Sequence, residues 1–182
     1  MKKWSRPLHG WLFFYCVTVL VNNTGYLAYM QAQTEEAAVL SWQFLYLGKA
    51  WTGFSLLMLS LELCHGRTYG KFTTPLSLAN VITYASVLTL RHNGFYYKSV
   101  SFVQDGLFPH LVFRKGPWHH VFDAIIGLYM LVGLTVLFRS MKRQQDRRRK
   151  RQVFLILLAV YFLLVFFYTM QRMRHLSSVR RA

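Results

Sequence analysis

The sequence predicts an all-α fold: a polytopic membrane bundle of about five transmembrane helices with a small hairpin-like loop on one face. Three observations carry that expectation. The 182 residues are 54% hydrophobic and 17% aromatic, yet the formal net charge is +16. Such a chain is too apolar for an ordinary soluble domain and too basic where it is not apolar. A membrane protein resolves the conflict, because apolar residues fill the spans and Lys/Arg crowd the links between them. The third observation is Arg91–His120, the longest stretch with no continuous apolar run, flanked by such runs on both sides. Nucleic-acid binding, the other reading of a basic chain, is set aside because the basic residues cluster between runs of spanning length.

The elements follow in order. Lys2, Lys3 and Arg6 precede an apolar run of about 10–30. A basic start and an apolar run resemble a signal peptide, but the run reaches spanning length and no small-residue cleavage site closes it. A signal-anchor-like first helix is expected, with Asn22, Asn23 and Thr24 available for bonds across helices. Thr34 before Glu35 and Glu36 marks a helix start, a capping side chain followed by acid in the first turn. That second helix runs over about 37–64 and carries Lys49 near its middle. A central Lys costs ~2.5–3.5 kcal/mol on insertion scales, so it should face the bundle interior. A third helix is expected over about 74–90, with Pro75 in its first turn. Within the loop, Tyr97–Val103 and His110–Phe113 are β-prone and Gln104-Asp105-Gly106 is a turn signal, so the loop 91–117 reads as a small hairpin. Pro109 weakens its second strand. Gly116-Pro117 closes the loop, and Trp118 fits a membrane-interface anchor. Helices over about 118–138 and 153–170 complete the bundle, joined by a basic run and followed by a basic tail at 171–182. The domain reading is a single bundle over 1–170 plus that tail. Cys16 and Cys64 fall at or inside apolar runs and form no disulfide or metal framework.

Charge sets a topology. Lys2, Lys3, Arg6, Arg67, Lys71 and the eight Lys/Arg of 139–152 fall on the N-terminal side. Four in the 91–120 loop and four in the tail fall opposite. The excess places the N-terminus and the 139–152 run in the cytoplasm and the large loop outside. The basic tail is the anomaly in that arrangement. The 139–152 run also suits anionic lipid, at ~1 kcal/mol per basic residue.

Chemistry-bearing residues are few. No Gly-rich phosphate loop, no Ser/His/Asp order and no H-E-x-x-H motif is present, and six acids are thin material for acid–base work. His119 and His120 lie beside Asp123, a helical spacing open to a metal. An adjacent His pair at an interface is more commonly a wet, hydrogen-bonding pair, so neither metal nor cofactor is expected. Lys49 and Asp123 are the more informative couple. Lys stems snorkel several Å toward the interface, so an interhelical ion pair between them is expected.

The residues in hand resemble one family. Gly25-Tyr26, then Glu35-Glu36-Ala37, then Tyr46-Leu47-Gly48 resemble the join between two helices of the bacterial seven-transmembrane sensor region that precedes histidine kinase or diguanylate cyclase domains. His92, Tyr96 and Tyr97 resemble that family's His-x-x-x-Tyr-Tyr segment, and Gly116, Pro117 and Trp118 its entry to the next helix. The basic link before Val153 is similar to its connection to a further helix. The likeness covers nearly the whole chain and matches helices two to six; the first, the seventh and any output domain have no counterpart, so a partial receptor region is expected.

The resemblance implies a receptor module in a bacterial plasma membrane. It would read a small-molecule or membrane signal at the outer loop and pass it to a cytoplasmic signalling partner, with a homodimer as the family's habit. Candidate contact residues are His92, Tyr96, Tyr97, Trp118, His119 and Asp123, with Lys49 below them. No catalytic domain is expected. Two alternatives stand beside this one: a transporter or membrane enzyme using Lys49, Glu62 and Asp123 as intramembrane charges, or a truncated fragment without function. The sequence identifies neither the ligand nor the output.

Overall fold

The structure is a computed structural model. It describes residues 6–65, 70–90, 92–103 and 110–143, with six isolated helical positions between 147 and 158. These residues form four helices and one hairpin: α1 (Arg6–Gln31), α2 (Glu35–His65), α3 (Gly70–Leu88), β1 (Tyr97–Val103), β2 (His110–Lys115) and α4 (Pro117–Arg143). The chain divides into two compact units, Met1–Gly133 and Leu134–Ala182. The helix expected over 153–170, the basic tail and the Gln104-Asp105-Gly106 turn lie outside the described residues, apart from the isolated helical positions Phe154, Leu155 and Leu158.

Helix α2 is the central element of the first unit. Its start is capped as expected: the Thr34 hydroxyl accepts from the Ala37 amide at 3.2 Å. Along one side α2 packs against α1, antiparallel. Gly25 meets the Leu45 backbone, Gly48 meets the Thr18 carbonyl and Asn22, and the Thr18 and Ser55 hydroxyls pair at 3.4 Å. A Cβ on Gly25 would stand 2.5 Å from the Leu45 Cα. Small residues at these crossings let two apolar helices approach without a hydrophobic driving force from water. The cross-helix bond here comes from Thr18, whereas Asn22 and Asn23 bond each other at 3.5 Å.

On its other sides α2 meets α3 and α4. Gln43 donates to the Val87 and Leu88 carbonyls, tying α2 to the C-terminal end of α3. Phe54 lies edge-on to Tyr129 of α4, and the Tyr129 hydroxyl donates to Leu76 O at 3.3 Å. Helix α3 begins four residues earlier than expected, so Pro75 lies inside it rather than at its start. Its hydroxyls are folded back on their own helix: Thr83 donates to Ala79 O and Ser86 to Ile82 O. That hides polar groups within an apolar bundle.

Three of the four helices, over Pro7–Gln31, Glu35–Cys64 and Pro117–Lys142, are long and apolar enough to cross a membrane. Helix α3 is not among them; its nineteen residues are diluted by Thr, Ser and Asn. The all-α membrane bundle stands.

The hairpin pairs antiparallel, Val103 with His110 through to Tyr97 with Lys115. Its register slips by one between Tyr97 and Ser99, so Lys98 is an extra residue on β1. A bulge of this kind bends a strand and redirects side chains. Here consecutive residues Lys98 and Ser99 are both exposed, which strict alternation forbids, while Tyr97 and the residue before the strand, Tyr96, are buried. The hairpin is then fixed to α4 through Gly116. Its amide donates to Tyr96 O at 2.8 Å, and a Cβ there would collide with the Phe95 carbonyl. Trp118, one residue into α4, stacks on Phe95 at 5.4 Å.

Candidate functional site

The site forms where the hairpin base meets α2 and α4. Three elements supply it. Helix α2 brings Trp42, Tyr46 and Lys49, spaced so that all three share one face. The start of β1 brings Tyr97, and the residue before it Tyr96. The first two turns of α4 bring His119 and Asp123, and the end of β2 brings Lys115.

Tyr46 is the hub. It is fully buried. Its hydroxyl pairs with Tyr97 Oη at 2.8 Å, accepts from Tyr96 at 3.3 Å and accepts from Lys49 Nζ at 3.3 Å. The Lys49 ammonium also lies 4.7 Å from the Tyr46 ring centre and 5.9 Å from that of Trp42, a cation–π geometry. Rings fill the space around these polar heads. Tyr97 stacks on Phe113 at 4.5 Å, Phe113 on Trp42 at 4.6 Å, and Tyr96 stands edge-on to Tyr97 at 4.8 Å. Burial pushes the Tyr96 and Tyr97 phenols above the ordinary tyrosine range, so both remain neutral hydroxyls.

A second polar group adjoins the first. His119 Nδ1 and Lys115 Nζ both reach Asp123 Oδ2, at 3.1 and 3.0 Å. The carboxylate accepts from Lys115, so Nδ1 carries the proton it shares with Asp123. The His119 ring lies 4.9 Å from Tyr96 and 5.2 Å from Tyr97, joining the two groups through ring contact.

The sequence-predicted residues divide accordingly. Tyr96, Tyr97, His119 and Asp123 gather, with Lys49 bonded to their hub. Trp118 lies at the edge, donating from Nε1 to Thr83 Oγ1 at 2.9 Å. His92 is exposed beyond the end of α3, where its amide donates to Thr89 O, and it does not join the cluster. Of the expected couple, Lys49 donates to Tyr46 Oη, and Asp123 accepts from Lys115 and His119. Glu62 is buried in α2. It stands thirteen residues from Lys49, ~20 Å along the helix axis. Among the described residues no group of three or more His, Cys, Asp or Glu is placed to hold a metal. Cys16 and Cys64 are free thiols.

Sequence reading missed Tyr46, Trp42, Phe113 and Lys115. Tyr46 was within reach, one helical turn before Lys49. Lys115 was not, because its approach to Asp123 depends on how the hairpin docks.

The fold and site together define a class, a helical membrane bundle with a polar, aromatic cluster at the base of a hairpin. The chain belongs to the family of N-terminal 7TM regions of histidine kinases, whose model matches residues 1–178. No curated protein and no solved structure matches it. That family is a sensory input region of the membrane and not a catalytic domain.

Proposed function

We propose that this chain is the input module of a signalling receptor, reading an extracytoplasmic or membrane-borne signal at the hairpin base and passing it to a cytoplasmic kinase or cyclase output. One observation carries the reading: residues from α2, β1, β2 and α4 converge on a single buried cluster, so anything that moves the hairpin base is felt by two spanning helices at once. Coupling of this kind needs a packed element with more than one arrangement that a ligand can bias. The charge pattern supports a cytoplasmic N-terminus, with the hairpin on the opposite side.

The test is a thermal-shift screen of small molecules on the whole chain in nanodiscs. A compound that stabilises the wild type, but not Tyr96→Phe or His119→Asn, supports the reading. Compounds that stabilise all three proteins equally place recognition elsewhere. Gradient-driven flux of a solute in liposomes would replace this reading with the transporter alternative, which the distance between Lys49 and Glu62 along α2 does not favour.

A further inference from the structure

We propose that the contact between α3 and α4 holds a bound water in the interior of the bundle, seated on the Asn80 amide beside the Tyr129 hydroxyl. The site is separate from the tyrosine cluster and does not rest on the sensory reading. Tyr129 lies ten residues beyond His119 on α4, ~15 Å along the helix axis.

The place is deep. Asn80 is completely buried and Tyr129 is 2% exposed. Tyr129 stands at the middle of the spanning stretch Pro117–Lys142. Phe54 lies edge-on to it from α2, and a Cβ at Gly53 would come 3.3 Å from its ring. Hydrocarbon offers a polar group no partner, so at that depth it must be satisfied inside the protein.

The neighbours satisfy only part of the Asn80 amide. The Tyr129 hydroxyl has one proton and faces two acceptors, Leu76 O at 3.3 Å and Asn80 Oδ1 at 3.4 Å. Asn80 Nδ2 is buried and has no hydrogen-bond partner. Turning the amide by half a turn exchanges its ends. Nδ2 then donates to Tyr129 Oη, Tyr129 keeps Leu76 O, and Oδ1 takes the bare place. In one orientation the bare end is a donor and in the other an acceptor. A guest that suits both must itself accept and donate, and the ring contacts around Tyr129 favour the smallest such guest, water. The Tyr129 oxygen is the second polar group that this water meets.

A polar seam leads to the site. Thr83, one turn along the same face of α3, is also completely buried and accepts from Trp118 Nε1 at 2.9 Å. Trp118 is partly exposed at the hairpin end of α4. Trp118, Thr83 and Asn80 thus mark a route for water from that end toward the middle of the span.

Hydroxyl-radical labelling by X-ray irradiation, on the whole chain in nanodiscs, tests the site. The radicals arise from water in place and oxidise the side chains beside it. Phe122 is also 2% exposed and packs in a hydrophobic cluster, so it is the dry reference. Tyr129 should be labelled about fivefold or more over Phe122. That label should fall to the Phe122 level in Asn80→Leu and be retained in Asn80→Ser, which keeps a group that both donates and accepts. A wild-type Tyr129 as silent as Phe122 overturns the proposal without any variant. A label that Asn80→Leu leaves unchanged also overturns it. So does loss of the label in Asn80→Ser as in Asn80→Leu, since labelling would then follow packing rather than a polar seat.

Discussion

Gly48 stands at a close crossing of α1 and α2, with the Thr18 carbonyl and the Asn22 amide against the place where a Cβ would go. Both obstacles are backbone and cannot rotate away. Gly48→Ala should therefore destabilise the bundle by about 1–3 kcal/mol, the usual cost of overpacking. Gly127 on α4 has nothing within 4 Å of its missing Cβ. Gly127→Ala should be neutral or stabilising by up to about 1 kcal/mol through helix propensity. Paired melting curves in one detergent check both, and equal shifts would contradict the packing argument. Asp123 and Lys115 are each half exposed, so Asp123→Asn should cost under about 1 kcal/mol in the same assay. The buried phenols carry a pH consequence. Tyr96 and Tyr97 have folded-state pKa values raised above the unfolded value. Their contribution is fully present below pH ~10, where unfolded tyrosine holds its proton, and is lost as the pH rises beyond it. In an alkaline titration these two phenols should ionise only with unfolding, so part of the tyrosinate absorbance should appear together with loss of helicity.

At the scale of the element, the hairpin has little to hold it except rings. Two isolated strands are marginal in water; this pair is held at its inner face by Phe113 between Trp42 and Tyr97, and at one edge by the Leu111 amide donating to Tyr29 Oη at 2.8 Å. Phe113→Ala should cost about 2 kcal/mol. Hydrogen exchange should show where: the β1 and β2 amides should exchange faster while those of α2 stay protected. Uniform acceleration would mean that the hairpin is integral to the bundle. The strands themselves were legible in the sequence, because β-branched and aromatic residues sat on either side of a turn signal. The bulge was not. A one-residue slip leaves the composition of YKSVSFV unchanged, yet it decides that Lys98 and Ser99 both turn outward while Tyr97 stays buried. The start of α3 was missed for a different reason. Pro75 read as the mark of a first turn, whereas the helix already starts at Gly70 and runs through Pro75.

For the whole molecule, the pattern of apolar runs and basic links was enough to give the class of fold, because bilayer thickness imposes a length that few soluble helices reach. Which helix sits in the middle was not readable, since α1, α2 and α4 look alike in composition. The placement of α2 follows from contacts, with Gly25, Gly48 and Gly53 thinning different crossings. The candidate site was half legible for the same reason. Residues flagged for their chemistry, such as Tyr96 and Asp123, lie in or beside the cluster; Tyr46 and Lys115, which join it through long-range docking, were not flagged. The charge-based topology makes its own prediction. With Cys16 and Cys64 replaced, a cysteine at position 98 should react with an impermeant thiol reagent in intact cells, and one at position 142 only after permeabilisation. The opposite pattern would invert the molecule.

Trp42 has a further consequence, and it is optical. Its indole lies 5.1 Å from the Tyr29 ring and 5.6 Å from Tyr46, centre to centre. Phenols that close pass their excitation to an indole rather than emit. Tyrosine light from this corner of the bundle should therefore be dark, and the emission should come from Trp42. A positive ammonium 5.9 Å from that indole should tune its colour. Removing that charge by Lys49→Met should move the emission. Excited where only indoles absorb, the spectrum of the wild type minus that of Trp42→Phe isolates this one fluorophore, so the chain carries a built-in optical gauge of how the hairpin base sits on α2.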